Sequence, residues 1–290
     1  MTLRTPTPLA LQNPTTPAMA DPTPSAIPFP DRTRDPKDNT STEGSPDSQQ
    51  DSQSSLYPSN PLFQKPLLRL QIRDLDHPGS SKFLSSINLS TVFSTAVNNV
   101  LRLLYLSPSS EDTKPPPTRS VTLILREMDG VAYTTGTDLD NDHKEIHFSL
   151  TYINGIKPPT RLASEITGVL THELVHCYQW NAHDTCPGGL IEGIADWVRL
   201  SCDLSPPHWK QEYGEKWDAG YQHTAYFLEY LETRFGEGTV RRVNEKLRQH
   251  KYKESSFWHE LFGSPVAALY GDYVKASKPA SETVDEGTQT

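Results

Sequence analysis

The sequence predicts an α+β domain, a small mixed sheet followed by a helical subdomain. Three observations point there. Strand-type patterns are confined to residues 67–153, helix-period patterns dominate from Arg161 onward, and both chain ends are poor in large apolar residues. Of the 25 prolines, 13 lie between Pro6 and Pro66, mixed with Ser, Thr, Asp and Gln. Such a stretch buries too little to offset the entropy of ordering it, so 1–65 reads as a disordered tail and 277–290 (SKPASETVDEGTQT) as another. About 210 residues, 66–276, remain for one domain with a substantial core.

In Leu67–Leu75 (LLRLQIRDL), Leu68, Leu70 and Ile72 alternate with polar or basic residues, a strand pattern. Residues 89–106 place Val92, Ala96, Val100, Leu103 and Leu104 on one helical face. After the Pro115–Pro117 loop, Val121–Leu125 (VTLIL) reads as a buried strand. MDGVAYTTG (128–136) reads as turn-rich, with Asp129–Tyr133 a candidate cleft loop. Ile146–Ile153 (IHFSLTYI) alternates again and is the expected sheet edge for an added peptide strand. Helices are then expected over 161–180, about 189–202, about 216–235 and 239–250, with two short ones before Ser277. Gly236 stands where a helix stop is expected.

Net charge is −9 with no basic cluster, which argues against a nucleic-acid partner. No apolar run approaches the ~20 residues that span a bilayer. The first twenty residues hold prolines where a signal peptide needs a continuous apolar run, which points to an intracellular chain. Cys177, Cys186 and Cys202 form no CxxC pair, and their odd number suits a reducing compartment. A Cys186–Cys202 or Cys177–Cys186 bridge stays open.

The chemistry concentrates in THELVHCYQW, 171–180. On a helix, His172 and His176 lie one turn apart on the same face, able to share one ion, with Glu173 beside them to handle a proton from bound water. This is the HExxH arrangement of zinc peptidases. A tetrahedral zinc that keeps one position for water needs a third protein ligand. Glu192, sixteen residues after His176 in GGLIEGIADW, is the candidate; His183, one place out of the HExxHxxGxxH register, is the runner-up. Asp196, one turn beyond Glu192, would hold a histidine's second nitrogen and fix its tautomer. Gly188 and Gly189 would allow the tight turn that returns the second helix beside the first. Cys177 points away from the histidine face. Trp180, Trp197, Trp209 and Trp217 are assigned to packing.

The run GVLTHELVHCYQWN…CPGGLIEGIADWVRL…PPHW…WDAGYQHTAYFLEYLE resembles the plant basic secretory protein (BSP) family, which has fungal and bacterial members and is grouped with zinc metallopeptidases. The similarity runs from about Leu67 to Lys275 and includes MDGVAYTTG, the stretch from Glu165 to Val169, and SFWHELFG…LYGDYVKA. It implies a zincin-like domain with a gluzincin-type site, HExxH followed by ExxxD, at His172, Glu173, His176, Glu192 and Asp196. The chain departs from the family in being acidic, and in carrying a Pro-rich tail where secreted members have a signal peptide. The implied function is a zinc-dependent metallopeptidase, an endopeptidase or related amide hydrolase. Its substrate is a peptide or protein, cut by zinc-bound water with Glu173 as general base. Tyr221, in a block of the resemblance, is the candidate oxyanion donor, with His223 as alternative. The competing reading is a non-catalytic, defence-type or binding protein that keeps zinc for structure; Glu173 argues against it, since a structural site has no need of a base.

Overall fold

The computed structural model describes residues 63–278, so the expected tails lie outside the described residues except for 63–65 and 277–278. Phe63 meets the ring of Tyr105 edge-on, with centroids 6.4 Å apart. Four strands form one mixed sheet: β1 (Leu67–Ile72), β2 (Ser120–Arg126), β3 (Ala132–Thr137) and β4 (Asp140–Ser149). Their order is β1-β2-β4-β3, with β3 antiparallel to β4 and the other pairs parallel.

Parallel pairing of β1 with β2 requires a crossover, made by α1 (Pro78–Ser86) and α2 (Leu89–Leu104). The sequence pattern misses α1, a nine-residue helix specified by its start: Pro78 opens it and His77 Nδ1 accepts the Gly79 N–H at 2.9 Å. In α2, Asn88 caps the first turn by accepting the Thr91 N–H at 3.1 Å. Its buried face is Phe93, Ala96, Val97, Val100, Leu101 and Leu104, turned slightly from the expected one, so Val92 and Leu103 are only half-buried.

Two strand expectations need correction. The segment 128–136 holds all but the last residue of β3, an edge strand whose Thr- and Gly-rich sequence (AYTTGT) buries little and so shows no apolar alternation. Ile146–Ile153 is not one strand. Ser149 Oγ accepts the Tyr152 N–H at 3.2 Å and donates to the Met128 carbonyl at 2.8 Å, ending β4 and starting α3 (Leu150–Gly155). Nor is this segment an edge, because β4 lies between β2 and β3.

Val121, Leu123 and Leu125 of β2 and Ile146 and Phe148 of β4 face the helical core, while Ser120 and Thr122 on the opposite face meet the ring of His143. The helical part comprises α4 (Leu162–Tyr178), α5 (Gly188–Ser201), α6 (Tyr221–Phe235), α7 (Thr239–Gln249), α8 (Glu254–Phe262) and α9 (Val266–Ser277). Gly236 follows α6 with φ +91°, as its expected stop. No helix of the described residues is long and apolar enough to cross a membrane.

Helix α6 starts at Tyr221, later than expected, because the chain from Trp217 is held as a loop. Thr224 Oγ1 accepts the Gly220 N–H and donates to the Trp217 carbonyl, both at 2.9 Å. Gly188 and Gly189 do not make a turn; they are the first residues of α5. Gly189 lies so close to Asp218 that a Cβ would collide with its carbonyl oxygen, and a Cβ on Gly193 would strike the side chain of Thr224. These two glycines set the close approach of α5 to the chain leading into α6.

Candidate metal centre

Helix α4 is packed against α2, α5 and β3, so nearly every residue on it is apolar or partnered. Ile166, Val169 and Leu170 form the expected apolar approach to the motif. One turn apart, His172 and His176 set their rings edge-on with centroids 4.9 Å apart. Helix α5 returns alongside and presents Glu192 and Asp196, also one turn apart. Asp196, almost fully buried, meets His172 Nδ1 at 2.7 Å. Glu192 Oε2 stands 3.1 Å from His172 Nε2 and 3.8 Å from His176 Nε2, and the two Nε2 atoms are 3.2 Å apart.

These three atoms fit a zinc ion. Nitrogen or oxygen ligands about 2.0–2.1 Å from a tetrahedral centre lie about 3.3 Å from one another, and the observed separations bracket that value. Two imidazoles and a carboxylate converge on one point, leaving a fourth direction toward the cleft. Among the described residues this is the group of His, Cys, Asp and Glu side chains arranged to hold a metal. His183 is not part of it: Ala182, His183 and Asp184 form a left-handed turn that exposes the His183 ring. The three cysteines are free, and Cys177 is buried behind the site with Sγ against the Glu173 carbonyl.

Glu173 lines the same cleft without being one of the three ligand residues, and Thr134 of β3 holds it. Thr134 Oγ1 lies 2.7 Å from Glu173 Oε2 and 2.9 Å from the Glu173 carbonyl oxygen. Burial lifts the Glu173 carboxyl above the usual glutamate range. Burial alone would pull His172 down, but its hydrogen bonds to Asp196 and Glu192 outweigh that and push it up to about 9. Burial, reinforced by the neighbouring His172 charge, pulls His176 down to about 4.

The site lies in a cleft of about 1230 Å³. One wall is Gly130–Thr134, so four residues of the expected cleft loop line it, two of them, Ala132 and Tyr133, as strand β3. Tyr221 lies opposite, its ring nearly parallel to that of His172 (13°) with centroids 6.3 Å apart. It is 60 % exposed and has φ +47°, a strained value for a tyrosine, set by the Gly220 loop. The Glu192 charge raises the Tyr221 hydroxyl above its ordinary value, and partial burial adds to this. His223 also lines the cleft, with Nδ1 3.2 Å from the Glu212 carbonyl oxygen.

Further along, Arg199 of α5 bonds Glu165 of α4 at 3.0 Å. Tyr152 and Arg161 complete that carboxylate's partners at 2.9 and 3.1 Å. Trp209, expected in the core, stands over the Arg199 guanidinium at the cleft wall, 5.4 Å from ring centroid to Cζ. Trp197 and Trp217 are buried as expected. Sequence reasoning passed over Thr134, Gln179 and Arg199, since a hydroxyl on a weak strand and single residues on helix ends carry no spacing signal.

Residues 65–273 match the family described as BSP, peptidase of plants and bacteria. The chain belongs to the BSP family. The match covers the sheet and the helices as far as the first eight of the twelve residues of α9, so the whole metal centre lies within the BSP region. No curated protein and no solved structure matches the chain. As a BSP member with the HExxH residues and the distal Glu192 gathered at one point, the protein is a zinc metallopeptidase of gluzincin type acting on peptide or protein substrates.

Proposed function

We propose that the protein is an endopeptidase. In this reading His172, His176 and Glu192 hold zinc, Glu173 is the general base, Asp196 orients His172, and Tyr221 donates to the developing oxyanion. The observation that carries the proposal is a buried carboxylate, Glu173, standing beside three converging ligand atoms without being one of them. When bound, zinc supplies Lewis acidity that polarises the scissile carbonyl and makes water nucleophilic near neutral pH.

The chain's own residues do the rest. Glu173 takes a proton from the attacking water and returns it to the leaving nitrogen, and its raised proton affinity suits both steps. Thr134 fixes Oε2, so the carboxylate waits in one rotamer. Asp196 accepts the His172 Nδ1 proton, which leaves the Nε2 lone pair for the metal. Tyr221, whose hydroxyl the Glu192 charge shifts further toward the protonated form, lines the cleft and would donate its O–H. An extended substrate segment would pair with β3, whose outer edge has no strand partner among the described residues. Main-chain pairing of this kind accepts internal segments, which favours endopeptidase action.

The test uses the full-length protein, its zinc content and its cleavage of an unstructured protein. Glu173→Gln should retain zinc and lose about 10²–10⁴-fold in kcat. Tyr221→Phe should retain zinc and lose about 10²-fold or more in kcat. Stoichiometric zinc with cleavage indifferent to Glu173→Gln would overturn the assignment of the base.

A further inference from the structure

The two histidines differ in how their outer ring nitrogens are held. His172 Nδ1 faces the Asp196 carboxylate, which only accepts hydrogen bonds when ionised. His176 Nδ1 faces the side-chain amide of Gln179, with Nε2 at 2.7 Å, and Gln179 Oε1 is buried without a hydrogen-bond partner. A neutral imidazole that gives its Nε2 lone pair to a metal carries its proton on Nδ1, and that proton needs an acceptor. An amide N–H pointed at Nδ1 favours the other tautomer, with the proton on Nε2 where the metal belongs. The two ends of a carboxamide are alike in size, and the hydrogen-bond network decides which one faces a neighbour.

We infer that Gln179 is the positioning residue for His176, turning its amide so that Oε1 accepts the Nδ1–H when zinc is held. A half-turn about the last side-chain bond exchanges Oε1 and Nε2 with no movement of the backbone. It gives the orphaned Oε1 a donor and puts His176 in the ligating tautomer. The backbone is fixed for this task. Gln179 ends α4, its N–H reaching the Val175 carbonyl at 2.7 Å, and Asn244 Oδ1 accepts the next N–H, that of Trp180, at 3.0 Å. The residue therefore lies one turn beyond His176 on the cleft side, with no freedom to drift. Gln179 holds His176 as Asp196 holds His172, but with a neutral group. The centre thus gains an orienting acceptor without a fourth carboxylate beside Glu173, Glu192 and Asp196.

The inference rests on zinc being held by His172, His176 and Glu192, and the test separates the two ideas. Zinc affinity of the full-length protein is measured by competition with a chromophoric chelator for the wild type, Gln179→Met, Gln179→Glu and Glu192→Ala. Gln179→Met, similar in length but without an acceptor, should weaken zinc binding by about 10–100-fold. Gln179→Glu, which keeps an acceptor and cannot present an amide N–H, should restore it. A purely packing role predicts the opposite order, because Met fills the space without adding charge. If the wild type binds no zinc, or Glu192→Ala binds as well as wild type, the metal-centre assignment fails first. If wild type binds tightly and Gln179→Met equals it, or Gln179→Glu is as weak as Gln179→Met, the inference about Gln179 alone is overturned. A folding-independent check uses the wild type itself. Long-range ¹H–¹⁵N spectra of the zinc-loaded, histidine-labelled protein should show His176 protonated on Nδ1, with that proton slow to exchange. An Nε2-protonated or rapidly exchanging His176 would also sink the inference.

Discussion

His172 and His176 sit in one environment yet take up protons in opposite senses. Before metal binds, His172 is charged at neutral pH because its pKa stands near 9, while His176, at about 4, is neutral. A protonated imidazole cannot ligate, so zinc must displace the His172 proton below about pH 9 and finds His176 already free. Zinc binding at pH 7 should therefore release at least one proton, and apparent affinity should rise with pH through the neutral range. Calorimetry in two buffers of different ionisation enthalpy measures the proton count. A count near zero at pH 7 would contradict the pairing of His172 with Asp196 and Glu192. At this scale the sequence was largely readable, since His172, Glu173, His176, Glu192 and Asp196 announce themselves by helical spacing. Thr134 did not, because its role comes from β3 lying against α4, a contact between residues 39 positions apart.

Two antiparallel helices carry the metal ligands, and a buried ion cluster fastens them two turns away from the site. Glu165 and Arg199, both less than a tenth exposed, join α4 to α5, with Tyr152 and Arg161 sharing the carboxylate. Removing one partner leaves the other charge buried and unpaired, so Glu165→Ala should cost about 3–5 kcal/mol. Urea denaturation of the zinc-free protein would read this directly; a loss below about 1 kcal/mol would mean that water reaches Arg199 and the cluster does not hold the helices. Element by element, the long helices and the buried strand at 121–125 were legible because their apolar periods are strong. The expected strand at 146–153 failed halfway, since a single Ser149 cap redirected the chain into α3. Strand β3 and helix α1 were hidden for the same reason as each other: both are short, polar and fixed by neighbours and not by their own pattern.

The zinc site draws ligands from α4 and α5 but is not what folds the molecule. The core runs through both the sheet and the helices, and residues such as Phe148, Leu170 and Trp258 are fully buried without contributing ligands. Chelation should therefore lower the melting temperature without unfolding the domain, unlike a zinc finger, which is unfolded without metal. With free zinc at about 1,000 times Kd, the lost stabilisation is about 4 kcal/mol. Thermal melts followed by far-ultraviolet circular dichroism, with and without chelator, test this; disappearance of the helical signal at room temperature on chelation would refute it. The arrangement also bears on biosynthesis. The loop that delivers Tyr221 is anchored by Trp217, whose ring packs edge-on against Trp258 at 5.1 Å. A chain leaving the ribosome N-terminus first presents all three ligands well before Trp258 emerges to lock that loop. In the mechanism proposed above, the oxyanion donor Tyr221 is thus the last catalytic group to be fixed, after the metal ligands have already been made.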